Sequence, residues 1–457
     1  MEPENIRFGG GAADTMLHPL VAVEMAIAII LILCLPRKSV VAPFLWMVFT
    51  VPLGQVVVLA GIHFTVLRII ILAGLARWAT SPRASSAGRL ADGFNSIDRL
   101  FTFWALSAAV IFTIQYMETQ VLIASLGDFL DLLGGYLVLR FLIQDRDDVR
   151  RTLKVFAVIT VVMGCCMINE QVAGKNVFGL LGGVPLSPPV REGKIRAQGA
   201  FGVYIDAGVF GANLIPLFIW LWSDRKFRAA ACWGIVGATT MVLTCNSSTP
   251  LLSFAAGILG LCLWRFRDQM RLFRRGLVAV LVGLHMVMKA PVWALIARVD
   301  LTGSSSGFHR FILLDNCIRH FSDWWLLGTK DYASWGWGMW DLSNQYVAVS
   351  FGGGLLTLIV FILILSRSFS GLGTARKHVA IAGDRKEEWF LWCLGAALFA
   401  TIVGWFGCSY MATMEATLSA LLAMISVGIF EAMLPREAKV EILDDAHLAS
   451  VPTPVGL

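Results

Sequence analysis

The chain has 457 residues, 57% hydrophobic and only 15% charged, with a formal net charge of +6. A soluble domain carries about 25% charged residues, so this chain has too little charge to cover a water-facing surface. No Lys/Arg-rich run interleaved with aromatics stands outside the apolar segments, which excludes nucleic acid as a partner.

The expected fold class is all-α, a polytopic transmembrane helix bundle. Candidate spans are 18–35, 40–60, 64–79, 100–118, 121–143, 155–171, 204–222, 229–246, 250–264, 276–293, 347–366, 389–406 and 411–433. At roughly 20 apolar residues per span this gives about 12–14 crossings. The second and third runs are nearly continuous, and the ninth is short. The first run ends in Pro36-Arg37-Lys38 without a small-residue cleavage site, so no cleavable signal peptide is expected. Residues 1–434 read as one transmembrane domain without internal repeats. Residues 435–457 read as a polar, disordered cytoplasmic tail.

Basic residues set the expected orientation. Arg37/Lys38, Arg83/Arg89/Arg99, Arg146/Arg150/Arg151/Lys154, Arg225/Lys226/Arg228, the Arg265–Arg275 segment and Arg376/Lys377/Arg385/Lys386 fall in alternating loops. Those loops are expected to be cytoplasmic. Two long loops, 172–203 and 294–346, then face the other side with the N-terminus.

These two external loops combine Arg, His, Asp, Trp and Gly, as functional loops do. The first reads Val190-Arg191-Glu192-Gly193-Lys194-Ile195-Arg196-Ala197-Gln198-Gly199-Ala200-Phe201-Gly202. Cations on this face run against the positive-inside rule. Arg191 and Lys194 read as a solvated loop. Arg196, set where Gly199 and Gly202 let the chain turn into the next span, reads as an anion ligand, because a guanidinium pairs with phosphate oxygens in a bidentate fork.

In the second loop Phe311, Leu314, Ile318 and Phe321 recur at helical spacing, and Asp315 and Arg319 stand four apart, a stabilising pair. An amphipathic helix along the membrane face is expected. Arg310 opens its first turn, where the helix dipole disfavours a cation, which marks it as a ligand candidate. Five tryptophans follow between Trp324 and Trp340. They read as interfacial anchors or as a wall for sugar or lipid, with Trp340 beside Asp341. Asp341 and Asn344 are expected on one helix face at the start of a span, Asp341 as a general base or as an N-cap.

Ionisable residues inside the spans are few: Glu24, Arg68, Asp128, Asp131, Glu170 and Asp206. Charge at membrane depth is a functional hypothesis by default. Arg68, near the external end of its span, reads as snorkelling or as an anion ligand. With the three aspartates it also frames the alternative function, a secondary transporter of a small solute or lipid-linked sugar, although repeat symmetry is missing. The nine cysteines show no metal-type spacing. Cys317 and Cys408 fall near the external side, where a disulfide between them can be envisaged.

Several short patterns together resemble the O-antigen ligase and polymerase superfamily. They are Arg196-Ala-Gln-Gly199-Ala-Phe201-Gly, the turn Thr244-Cys-Asn-Ser247-Ser248-Thr-Pro250, and Arg310 ahead of an apolar helix. Trp324-Trp325-Leu-Leu-Gly328 and Asn344-Gln-Tyr346 leading into Gly352-Gly353-Gly354-Leu355-Leu356 complete the set. The match covers roughly residues 150–370.

The resemblance implies an integral-membrane glycosyltransferase-like fold and a metal-independent enzyme with no cofactor. Such an enzyme acts at the external face of the bacterial inner membrane. Its partners would be an undecaprenyl-diphosphate-linked glycan, a glycan or lipid acceptor, and membrane lipid. By resemblance Arg196 and Arg310 hold the diphosphate. The ligases place His directly before the Asn of the third motif, as general base. Here Ser343 stands there, which points toward a polymerase or a ligase-like protein with another acceptor. The nearby substitutes for the base are Asp341, His309 and His320.

Overall fold

A computed structural model describes residues 15–59, 61–81, 90, 93–298, 307–410 and 413–434; the tail expected at 435–457 lies outside them. In chain order the helices begin α1 (Pro19–Cys34) and α2 (Arg37–Thr50), followed by a hairpin of β1 (Val56–Leu59) and β2 (Ile62–Thr65). Next come α3 (Val66–Thr80), α4 (Ser96–Tyr116) and α5 (Thr119–Phe129). The last of these passes through a π-helical turn, Leu130–Gly134, into α6 (Gly135–Leu142) and then α7 (Arg146–Ala173). A second hairpin, β3 (Val190–Arg191) and β4 (Lys194–Ile195), precedes α8 (Tyr204–Trp222), α9 (Arg228–Thr244), α10 (Ser248–Cys262) and α11 (Met270–Val287). The long second loop holds α12 (Gly307–Arg319) and α13 (Phe321–Trp324), and the chain closes with α14 (Gln345–Ile381), α15 (Arg385–Gly404) and α16 (Thr413–Met433).

Among the described residues nine helical stretches are long and apolar enough to cross a membrane, and the protein is a multi-pass membrane helix bundle. Apolar side chains cover its outside, Leu20, Val23, Ile27 and Ile30 on α1 among them, as a lipid-facing surface requires. The core is aromatic: Phe49 stacks on Phe210 at 4.7 Å between ring centroids, and Phe201 packs on Phe210 at 5.4 Å.

Two expected segments are redrawn. The run 40–60 is helical only to Thr50, because Pro52 and Gly54 interrupt it and the β-branched Val56–Val58 pairs as a strand. At 14 residues α2 is about 21 Å long, less than the hydrocarbon core of about 30 Å. The run 276–293 is helical only to Val287, with Pro291 just beyond. None of the residues of α11 is buried; it is tied to the bundle through its ends.

The basic loops gather at one end of the bundle, where carboxylates meet them. Arg37 pairs with Asp148 at 2.7 Å, Arg146 with Glu431 at 2.9 Å, and Arg267 and Arg376 both with Glu388 at 2.8 Å. The two long loops share the opposite end. Deeper in the bundle Arg140 and Asp98, both fully buried, pair at 2.9 Å. Asp98 closes a capping box with Asn95 at the start of α4.

Candidate functional site

The first long loop begins where Gly174 ends α7 in the left-handed conformation. The β3–β4 hairpin turns on Glu192 (φ 52°) and Gly193 (φ 74°), the positive-φ pair that a two-residue hairpin needs. Arg191 stands exposed on it, as a solvated side chain does. The chain then dives inward, and Arg196 (5% exposed), Ala197, Gln198, Ala200 and Phe201 are all buried.

A buried carboxylate explains the dive. Glu170 on α7 accepts from the backbone N–H of Gln198 at 3.1 Å and of Gly199 at 3.0 Å. Asn176 Nδ2 donates to the Gly199 carbonyl at 2.8 Å, and Asn246 Nδ2 to that of Ile195 at 2.7 Å. Glu170 therefore acts as an anchor for this segment. The Arg196 guanidinium lies over the Tyr204 ring, 4.7 Å from its centroid, and donates to the Tyr204 hydroxyl.

From the second loop α12 presents Gly307, Arg310, Leu313 and Cys317 to the protein. Of the stripe expected from sequence, Ile318 and Phe321 are exposed, whereas Phe311 is half-buried and Leu314 packs against the cluster around Leu313 and Trp324. Arg310 is buried (6% exposed). Its Nη2 donates to Thr249 Oγ1 at 2.6 Å, in the first turn of α10. Its Nε passes so close to Gly407 that a Cβ there would sit 2.9 Å away. Burial lowers the pKa of this guanidinium; the nearby Arg196 charge lowers it too, while Cys408, Tyr204 and Asp341 act the other way. The two arginines, remote in sequence, are thus brought within each other's field.

Two buried donors, Arg310 Nε in α12 and Asn344 Nδ2 at the start of α14, have no acceptor among the described residues. Buried polar atoms of this kind are rare in native proteins. Asn344 Oδ1 is engaged, accepting from the N–H of Tyr346 and Val347 as N-cap of α14. That corrects the expected pairing of Asp341 and Asn344 on one helix face. Both precede the helix, and the capping role belongs to Asn344. Asp341 is exposed in a tight turn closed by its N–H to the Gly338 carbonyl at 3.1 Å.

The motif pieces in the second loop interlock. The Leu355 N–H donates to the Trp325 carbonyl at 2.8 Å, and the Thr329 N–H to that of Phe351 at 2.9 Å. Gly354 breaks α14 at φ 67°, ψ −172°, and a side chain there would meet the Leu326 carbonyl oxygen at 2.6 Å. The tryptophan-rich loop thus takes up the backbone groups that the break releases.

The remaining candidates are placed differently. His309 is half-buried beside Arg310 and touches Ser343, its Nδ1 3.4 Å from the serine Oγ. His320 stacks on Trp335 at 4.2 Å and meets Asp323 at 3.0 Å, in a separate surface cluster. Trp340 is 76% exposed. Arg68 lies apart from these loops: its Nη2 pairs with Asp131 at 2.7 Å and lies 3.7 Å from Asp128. Cys317 and Cys408 are both buried free thiols. Among the described residues no group of three or more His, Cys, Asp and Glu is arranged to hold a metal ion. Sequence reasoning missed Tyr204 and Gly407, which carry no local signal; Thr249 lay inside a noted turn without a role.

No protein-family model matches the chain, and no curated protein matches it.

Proposed function

We propose that the protein is a membrane glycosyltransferase of the O-antigen ligase or polymerase type. It moves glycan from an undecaprenyl-diphosphate carrier to an acceptor hydroxyl at the periplasmic face of a bacterial inner membrane. The observation that carries this reading is the burial of Arg310 with an Nε that lacks an acceptor, within reach of the charge of the equally buried Arg196. A buried guanidinium with an unsatisfied N–H is unfavourable unless an anion joins it. A diphosphate is such an anion. As the bond from the anomeric carbon to the diphosphate oxygen breaks, negative charge develops there, and fixed guanidinium groups stabilise it more strongly than water does.

The arrangement suits a lipid-borne substrate. Arg196 and Arg310 belong to the two long loops at one end of an apolar bundle, so a carrier headgroup reaches the arginines while its polyprenyl tail stays in the bilayer. The exposed Trp337 and Trp340, the outer face of α12 with Phe308 and Ile318, and Phe321 at the start of α13 seat the second loop at the membrane interface.

The test is the surface-polysaccharide profile of a strain lacking the gene, complemented with wild-type protein or with Arg310→Lys. Lipid-linked polymer retained without attachment identifies a ligase, and accumulation of single repeat units a polymerase. An unchanged profile in the deletion strain refutes the reading. Arg310→Lys is expected to complement poorly, because an ammonium cannot reproduce the fork.

A further inference from the structure

The segment that should carry the general base carries Ser343, and a serine hydroxyl is too weak a base to take a proton near neutral pH. What Ser343 touches supplies the missing function. His309 Nε2 lies 2.8 Å from the Gly338 carbonyl oxygen. A carbonyl oxygen can only accept, so Nε2 carries the proton and Nδ1 is left with a bare lone pair. That lone pair faces the Ser343 hydroxyl at 3.4 Å.

The ring is held in this pose. Trp337 meets it edge to face, with centroids 6.4 Å apart. Gly338, at φ 75°, lies so close that a Cβ there would stand 2.9 Å from His309 Cδ2. A side chain at 338 would displace the imidazole, so the glycine is tied to the histidine. His309 also adjoins Arg310 in α12, and Asp341, whose charge reaches Arg310, is two residues from Ser343. The Ser–His pair thus lies on the chain beside two residues with unsatisfied buried donors, His309 next to Arg310 and Ser343 next to Asn344.

We propose that His309 and Ser343 form a proton relay that serves as the general base; this rests on the glycan-transfer reading. The acceptor oxygen forms its bond to the anomeric carbon as the carbon–oxygen bond to the diphosphate breaks, and that electron pair leaves on the diphosphate oxygen. The acceptor's proton passes to Ser343 Oγ while the serine proton passes to His309 Nδ1. The imidazolium then returns its proton to water or to the released diphosphate. Ser343 touches the acceptor, and His309 acts through it.

The experiment uses purified protein in phospholipid vesicles, with lipid-linked oligosaccharide on undecaprenyl diphosphate, extracted from the native membrane, as donor and acceptor probe. His309→Gln and Ser343→Ala should each lower transfer by about 10²-fold or more and leave retention of the carrier unchanged. The acid limb of the pH–rate profile should disappear in His309→Gln. Placing the base where the hydroxyl stood, with Ser343→His in the His309→Gln background, should restore transfer. Histidine 15N spectra, with His309 assigned from His309→Gln, should give the Nε2-protonated tautomer.

Wild-type rates with an intact acid limb in His309→Gln, the opposite tautomer, or lost transfer without rescue would each overturn the relay. Absence of transfer by the unaltered protein with any lipid-linked donor is a different result, which removes the transfer reading and the relay with it.

Discussion

The Glu170 carboxylate on α7 accepts the backbone N–H of Gly199, three residues past Arg196, at 3.0 Å. Glu170→Ala is expected to strand two buried N–H groups, those of Gln198 and Gly199, at a cost of about 1–3 kcal/mol. It should lower the midpoint of thermal unfolding and weaken capture of undecaprenyl diphosphate. Glu170→Gln keeps an acceptor oxygen and should do less harm. Unaltered melting of Glu170→Ala would show that the segment is held by other means.

Gly407 gives a way to disturb Arg310 without touching it. A methyl there would meet Thr249 and stand 2.9 Å from Arg310 Nε, so Gly407→Ala should push the guanidinium off its partner. Transfer is expected to fall by about 10²-fold, the scale for losing one donor to a developing oxyanion, and crowding against the buried Thr249 should lower thermal stability as well. A kinetic comparison of Gly407→Ala with wild type decides it, and equal rates would count against Arg310 as ligand.

The Asp98–Arg140 pair is structural and separates stability from function. Both side chains are fully buried, and Asp98 also accepts from the Tyr136 hydroxyl. Arg140→Met leaves that carboxylate without its cation and should destabilise the fold by about 3–5 kcal/mol. Protein that does fold should capture carrier normally. Unfolding in detergent measures the first claim, and a melting point equal to wild type would contradict it.

Burial pushes the Cys317 thiol up to about 12. Its pKa is raised, so the neutral thiol persists at every pH well below that value, and only the thiolate attacks alkylating agents. Iodoacetamide at pH 8 should spare Cys317 in the folded protein and label it after denaturation. Mass spectrometry without reductant should find no Cys317–Cys408 bridge. Ready labelling of the folded state would mean that α12 opens.

Orientation can be read at the hairpin tip. Glu192→Cys, on an exposed turn of the first long loop, should react with a membrane-impermeant maleimide added to intact spheroplasts. Arg271→Cys, on the exposed foot of α11, should react only after the membrane is opened. The reverse pattern would invert the topology inferred from the basic loops.

Hydrophobic runs announced the bundle, because lipid demands that every span be apolar and internally hydrogen-bonded. They failed at 40–60, where Pro52 and Gly54 split an unbroken apolar stretch into a helix and a strand. Hydropathy alone cannot distinguish the two. Arg196 and Arg310 stood out because cations on that face and in that helix turn are locally unfavourable. The fate of Arg68 was not legible: whether a guanidinium is available or already paired depends on Asp131, which only the packing of α3 against the π-helical turn brings near. Asp341 misled for a related reason, since the backbone, and not the spacing, decides which residue begins α14.

The break at Gly354 separates α14 into two mechanical parts. Phe351 before it and Leu355 just after it are both fastened to the tryptophan-rich loop, and the length beyond runs on through the bundle. Membranes differ in thickness, and a helix answers such mismatch by tilting. With a hinge at Gly354 the lower shaft can lean while the upper turns stay level with the arginines. The same geometry around the arginines then survives in thin and thick bilayers, and activity should depend little on acyl-chain length unless the hinge is stiffened.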